Sequence, residues 1–365
     1  MKQVSWVLVV LISNSILAAQ RPGASAGDAA TSGSAAVSWP AHSDSGFIGP
    51  MASGEQAASG QRKAKPVADA PPPPMKRTRI DPSMVGYIDD SAVRNEVRLR
   101  LDAGFDMPRP DRAEYFYAGS SAPAANTVAV QRTLNFQELY FSGEYAPTKF
   151  MSAFVMVPYR WIEPFFVPSA TRAPDLFSGG GISDVQAGLK AAAIHSDARN
   201  LTFQLRAYFP TGNGVDGFGT NHYSIEPMVL YYQRVSDRTA LEAEAGDTHP
   251  IGGTTYAANT TPTTSQNFAG DVAMYGVGPS YQLITRDSYR FAPVFELVSW
   301  HVFGGLQTGQ NSQVQSAAGI NVLNAKLGGR ISFLNGSSIY AGYGRGLTAD
   351  IWYRNLFRME YRREF

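Results

Sequence analysis

No cysteine occurs among the 365 residues. Disulfide scaffolds, thiol catalysis, cysteine-zinc centres, c-type haem attachment and a lipidated N-terminal cysteine are therefore excluded together. Charge is also sparse: 17% of residues are Asp, Glu, Lys or Arg, against roughly 25% in soluble domains. A medium other than water is expected to solvate part of the surface. Neither sign dominates, since 31 basic and 30 acidic residues leave a net charge of +1. That supplies no field to gather polyanions, so no nucleic-acid partner is expected. Beyond residue 19 no apolar run approaches the roughly 20 residues of a membrane helix.

What the sequence does have is aromatic residues at 12%, led by 18 Tyr and 20 Phe, together with 35 Gly. This mixture favours strands and turns. Residues 1–19, MKQVSWVLVVLISNSILAA, join a Lys2-bearing start to a short interrupted apolar run and small residues. That is the pattern of a signal peptide cleaved near Ala19. Residues 20–85 are rich in Ala, Gly, Ser and Pro, with Pro71 to Pro74 in a row and a basic end at Lys63, Lys65, Lys76, Arg77 and Arg79. They hold too little apolar surface to offset ordering entropy, so a disordered periplasmic segment is expected.

From about residue 86 the chain changes character. In Arg94 to Phe105, Val97, Leu99, Leu101, Ala103 and Phe105 share one face while Arg98, Arg100 and Asp102 share the other. In Asn200 to Phe209, Leu201, Phe203, Leu205, Ala207 and Phe209 alternate with Thr202, Gln204, Arg206 and Tyr208. Period two is the signature of a strand with two different sides. It recurs at 134–145, 150–162, 183–194, 224–235, 239–247, 270–284, 290–302, 320–333, 338–346 and 350–365, which predicts twelve strands. The connections alternate long and short, until a tight 347–349 before the last strand. Segregated loop lengths and an even strand number are the marks of an outer-membrane barrel. The expected fold is all-β: a transmembrane antiparallel β-barrel of about 12 strands over 86–365, preceded by the disordered segment, in the outer membrane.

Facing follows from energetics. Lipid offers no hydrogen-bond partners, so only a closed sheet can cross it, and a midplane Arg or Lys on the lipid face costs about 2–4 kcal/mol. Charged residues are therefore assigned inward. The candidate lumen-lining residues are Arg98, Arg100, Lys190, Arg206, Glu226, Glu242, Glu244, Lys326, Arg330, Arg345, Arg358 and Glu360. Asp102, Glu138, Glu144, Arg160, Asp184, Arg234, Glu296, Arg354 and Arg362 belong to the same inward set. Arg206, Lys326, Arg330 and Arg358 are expected to pair with Glu226, Glu242, Glu244 and Glu360. Outer-membrane lipids are the expected surroundings. Aromatic girdles are expected from Tyr145, Tyr159, Trp161, Phe209, Tyr231, Tyr281 and Phe291. In the last strand Phe357, Met359, Tyr361 and Phe365 alternate with Arg358, Glu360, Arg362 and Glu364. This resembles the assembly signal of bacterial outer-membrane proteins, so the barrel assembly machinery is an expected partner.

Two stretches carry a family likeness. Gly181-Ile182-Ser183-Asp184-Val185-Gln186-Ala187-Gly188-Leu189-Lys190 and Tyr208-Phe209-Pro210-Thr211-Gly212 are spaced as two strands of one periplasmic hairpin. Together they resemble a family of outer-membrane transporters associated with the meta-pathway of phenol degradation, over about residues 90–365. The resemblance implies an exported barrel passing small aromatic or apolar solutes.

Catalytic motifs are scarce. No Gly-x-Ser-x-Gly elbow, Walker A loop or dinucleotide fingerprint opens a helix, and no cofactor is expected. Of five His, His42 falls in the tail, His195 in a short turn, and His222, His249 and His301 near the outer rim. A hairpin turning around Asp237 pairs residues whose numbers sum to about 474. His249 then lies opposite Ile225 and near His222, Asp247 and Glu226, a set suited to a general base or a divalent metal. Pro250 suggests that the strand ends there. The expectation is a transporter or narrow channel rather than an enzyme. A rim hydrolase and a structural barrel without transport are the alternatives.

Overall fold

The computed structural model describes residues 83–107, 131–166, 179–214, 218–252, 255–256, 266–267, 269–308 and 314–365. The expected signal peptide, nearly all of the Pro-rich tail, and His42 lie outside these residues.

Twelve strands form the barrel. They are β1 (Glu96–Met107), β2 (Gln131–Thr148), β3 (Met151–Phe166), β4 (Val185–His195), β5 (Arg199–Phe209) and β6 (Tyr223–Arg234), then β7 (Thr239–Ile251), β8 (Val272–Tyr281), β9 (Tyr289–Val302), β10 (Asn321–Phe333), β11 (Ser337–Gly346) and β12 (Asn355–Glu364). A short strand, Gly179–Ile182, continues β4 along β3 above a break at Ser183-Asp184. Each strand pairs antiparallel with the next, and β12 returns to β1 from Glu96↔Glu364 to Phe105↔Asn355. Closure leaves no edge, as a lipid environment demands.

The twelve-strand expectation agrees with this ring, and the β6–β7 register is the one read around Asp237: Tyr223↔Ile251 and Ile225↔His249. Most boundaries shift by a few residues, and two shifts bear on the rim. β7 continues through Pro250, which faces Ser224, to Ile251. The last strand starts at Asn355, so the connection before it spans 347–354 instead of 347–349. Proline is tolerated near the rim because few ladder bonds remain to lose.

Alternation sets two surfaces. Outward positions carry exposed Leu99, Leu101, Phe141, Val155, Trp161, Leu189, Phe203, Leu205, Val229, Tyr275, Phe295, Leu327, Phe357 and Tyr361. Residues between them turn inward and are buried, among them Glu138, Arg160, Lys190, Glu296, Arg330 and Glu360. Most of the predicted girdle residues are indeed exposed, including Tyr145, Tyr159, Trp161, Phe209 and Tyr281. At the β10–β11 turn Gly336 takes φ +80°, where a side chain would be strained.

One element has no counterpart in the sequence reading. Residues 83–95, which precede β1, form neither helix nor strand, yet Ser83, Met84, Val85, Ile88, Asp90, Ser91, Ala92 and Val93 are all buried. The tail boundary at residue 85 is thereby corrected. Main-chain bonds to the wall hold Met84 and Val85 in the lumen, and Ser83 is buried beside them.

Candidate functional site

The lumen is organised in three layers. At the inner end, Arg94, at the foot of β1, bonds Asp90, Glu96 and Glu364. Arg362 reaches Asp90 at 3.3 Å and Glu360 at 3.1 Å, and Arg98 bonds Glu96. Beside this network a cavity of about 480 Å³ opens between Ala92, Arg94, Lys149, His195, Arg290 and Phe333.

The middle layer is the lumen wall gripping residues 83–94. Glu242 Oε1 accepts the Met84 N–H at 2.9 Å. Glu296 accepts those of Gly86, Tyr87 and Ile88 at 3.3, 2.9 and 2.9 Å, and Glu244 accepts that of Asp89 at 2.8 Å. Cations take the carbonyls: Arg330 donates to Met84 O at 3.1 Å and Val85 O at 2.6 Å, and Arg358 to Gly86 O at 2.7 Å. Thr202 Oγ1 donates to Ser91 O at 2.6 Å, and Lys190 Nζ lies 3.5 Å from Ala92 O. The Tyr87 ring packs against Lys326 Nζ at 3.9 Å and the Arg358 guanidinium at 4.3 Å, and meets Tyr340 edge-on. Such cation–π contacts strengthen where water is displaced. Asp89 is bonded by Arg206 and by Gln204.

The outer layer is apolar. Met107, Phe136, Ile162, Phe218, Tyr353 and Leu356 form one buried cluster, with Tyr87 and Trp352 against it. Val272, Val302 and Ala317 form another, beside Trp300, which stacks on Trp352 at 5.6 Å. Apolar groups also enter the middle layer, where Met84, Val85 and Ile88 pack with Ala292, Val294, Val298 and Tyr340, so the interior expected to be polar is mixed.

Of the predicted ion pairs, Arg206–Glu226 forms at 3.0 Å and Arg330–Glu360 at 2.8 Å. Arg358 instead takes Asp102 through two bonds of 2.6 Å, and Lys190 takes Glu144 at 2.8 Å. Glu242 and Glu244 hold main-chain N–H groups, not cations, and among the described residues Lys326 has no carboxylate within 4.0 Å. The partner that sequence reasoning missed is the chain's own segment; its one visible signal was the run Met84-Val85-Gly86-Tyr87-Ile88, more apolar than the tail before it. Arg98 and Arg100 are largely shielded and inward, with Arg100 over the Tyr140 ring at 3.7 Å.

Arg345 is a correction. It is exposed and shares the outward parity of Ile339 and Tyr343, opposite buried Tyr340 and Gly344. It lies one residue from the outer end of β11, where a lipid-facing charge costs only about 0–1 kcal/mol, so the argument that forced midplane charges inward does not reach it. Arg354 is likewise exposed, in the loop before β12. Phe357, Tyr361 and Phe365 are exposed on the outer side of β12.

The histidine set divides between the two faces. Glu226 points inward to Arg206, Tyr208 and Thr248. His222 is buried, with Nδ1 3.0 Å from Thr220 O, and burial pushes its imidazole below the usual range against the upward pull of that bond and of Asp184. His249 and Asp247 share the other face, and His249 Nδ1 meets Asp271, which the sequence reading had not singled out, at 2.7 Å. Ligand atoms of Asp247, His249 and Asp271 lie within 4.8 Å of one another.

The two family-like stretches build a clasp at the outer rim. Asp184 accepts from Gly212 N at 3.0 Å, Thr220 N at 2.7 Å and Thr220 Oγ1 at 2.8 Å. Thr211 Oγ1 donates to Ser183 O and accepts from Val185 N, both at 2.9 Å. The clasp sets Phe218 into the lumen against Gly181, where a Cβ would lie 2.8 Å from its ring.

With lipid-compatible side chains outside, buried charge inside and no open edge, the chain is an outer-membrane β-barrel. No protein-family model and no curated protein sequence matches it. Among solved structures it is similar to an outer-membrane channel from Pseudomonas putida F1, at 13% identity over 75% of this chain and 96% of that one, with a TM-score of 0.46. The β domain of the Bordetella autotransporter BrkA matches at 13% identity over 74% of this chain and all (100%) of its own, TM-score 0.44. LpxR from Salmonella typhimurium matches at 11% identity over 73% and 100%, TM-score 0.37.

Proposed function

We propose that this barrel is a narrow outer-membrane channel for small apolar or aromatic solutes, closed by its own segment and its apolar outer layer. The observation that carries the reading is the apolar outer layer: Met107, Phe136, Ile162, Phe218, Tyr353 and Leu356 line the end at which an external solute arrives. Desolvating an aromatic ring against these groups is favourable by about 25 cal/mol per Å² buried, whereas a hydrated ion gains nothing there. The likeness to phenol-pathway transporters points to the same solute class. Entry requires Phe218 to leave the lumen, and passage further inward requires residues 83–94 to shift. Uptake of radiolabelled aromatic compounds by cells with and without the protein tests the reading. Faster uptake with the protein is expected; equal uptake removes it.

A rim hydrolase is the second reading, favoured by the Asp247, His249 and Asp271 cluster. It requires an ester- or amide-cleaving activity that His249→Ala abolishes.

A further inference from the structure

Residues 83–94 lie in no strand, and side chains of the wall hold the N–H groups of residues 84–89 and the carbonyls of Met84, Val85, Gly86 and Ser91. The wall is divided for that task. Glu242, Glu244 and Glu296, on the adjoining strands β7 and β9 flanking β8, take N–H groups. Arg330 on β10, the strand paired with β9, and Arg358 on β12 take carbonyls. The chain bends at residues 86–88, so that three successive N–H groups converge on Glu296 while the carbonyls of Met84, Val85 and Gly86 go to Arg330 and Arg358; the wall therefore fits a bent main chain and not a ladder strand. Without an occupant Glu242 and Glu244 would lose the N–H donors they hold and Glu296 would keep only the Tyr340 hydroxyl, a costly arrangement. An occupant must therefore bring both N–H and C=O groups, which neither a hydrocarbon nor a simple ion does. Side chains add to the grip: Met84, Val85 and Ile88 pack with Ala292, Val294, Val298 and Tyr340, Tyr87 lies between Lys326 and Arg358, and Asp89 and Asp90 take arginines.

We propose that the lumen is a binding site for the main chain of a bent peptide segment, in which residues 83–94 are the tethered occupant and free peptide can take their place. The site goes beyond solute passage and does not depend on it. Exchange replaces each bond by one of the same kind, so the barrier lies in breaking the grip and not in a net loss of contacts.

The test uses the full chain in detergent or nanodiscs and a fluorescein-labelled synthetic peptide of residues 83–95, read by anisotropy. A Cβ built on Gly278 lies 2.8 Å from Val85 Cγ1, so Val85→Cys with Gly278→Cys brings two sulfurs within bonding reach in a chain that has no other cysteine. The reduced pair and the wild type are expected to bind the peptide, and the oxidised pair at least tenfold more weakly. Tyr87→Ala, which loosens the tethered occupant, should bind it at least threefold more tightly than wild type. N-methylation of the peptide at Gly86, Tyr87 and Ile88 removes the donors to Glu296 and should weaken binding at least tenfold. Equal binding by oxidised and reduced protein, equal binding of the methylated peptide, or binding by neither wild type nor Tyr87→Ala overturns the proposal. Anisotropy needs no solute flow, so a protein that binds peptide but takes up no aromatic compound keeps this site and loses the channel.

Discussion

Asp102 shows what a single inward charge contributes. Its two bonds to Arg358 are made where both side chains are buried, and Arg358 in turn holds Gly86 O. Removing one member of such a pair strands the other, at about 3–5 kcal/mol. Asp102→Asn is expected to lower stability by that order in a urea series, while Arg345→Ala, on the exposed outer end of β11, should stay within about 0.5 kcal/mol. Glu244 makes a finer case. Its bond to the Asp89 N–H needs only an acceptor oxygen, which Gln retains. Glu244→Ala should therefore cost about 1–3 kcal/mol and Glu244→Gln distinctly less. Equal losses would mean that the charge, and not the accepted hydrogen, matters at this position.

The β4–β5 hairpin is the element in which sequence motif and closure meet. Asp184 and Thr211 tie the top of β4 to residues 210–222, and the same loop delivers Phe218 to the apolar layer. Asp184→Ala removes three bonds at once. Amide exchange at Gly212 and Thr220 should quicken at least tenfold, equivalent to about 1.4 kcal/mol of local opening, while the ladder amides of β5 stay protected. Unchanged exchange would show that packing of Phe218, and not the clasp, holds the loop.

At the scale of the whole molecule, the barrel is filled from one end by its own chain and from the other by apolar side chains. A Cβ on Gly86 would lie 2.2 Å from the Tyr340 ring, itself buried and bonded to Glu296. Gly86→Val cannot keep the segment in place without moving that ring. In planar bilayers the wild type is expected to be nearly silent and Gly86→Val to conduct at least several-fold more; a silent variant would mean that the outer apolar layer alone closes the lumen. Fractionation should recover both proteins with the outer membrane, and recovery of either as a soluble periplasmic protein would contradict the lipid-facing belt.

Strand number, facing and even the β6–β7 register were legible in the sequence because period two and turn length are local properties: Leu99 and Arg100 declare their sides without knowing their neighbours. Most of the lumen set was legible for the same reason. Arg345 was misread because the cost of a charge depends on depth, and depth follows from the strand's place in the closed ring. The partners of Glu242, Glu244 and Glu296 were not legible at all. Those carboxylates meet main-chain groups from 155 to 210 residues away, and a backbone N–H is the same at every position in a sequence. Alternation by itself determined that this chain makes a barrel with a charged interior. Only the tertiary structure decided what fills it, because that depends on which segment closure leaves inside.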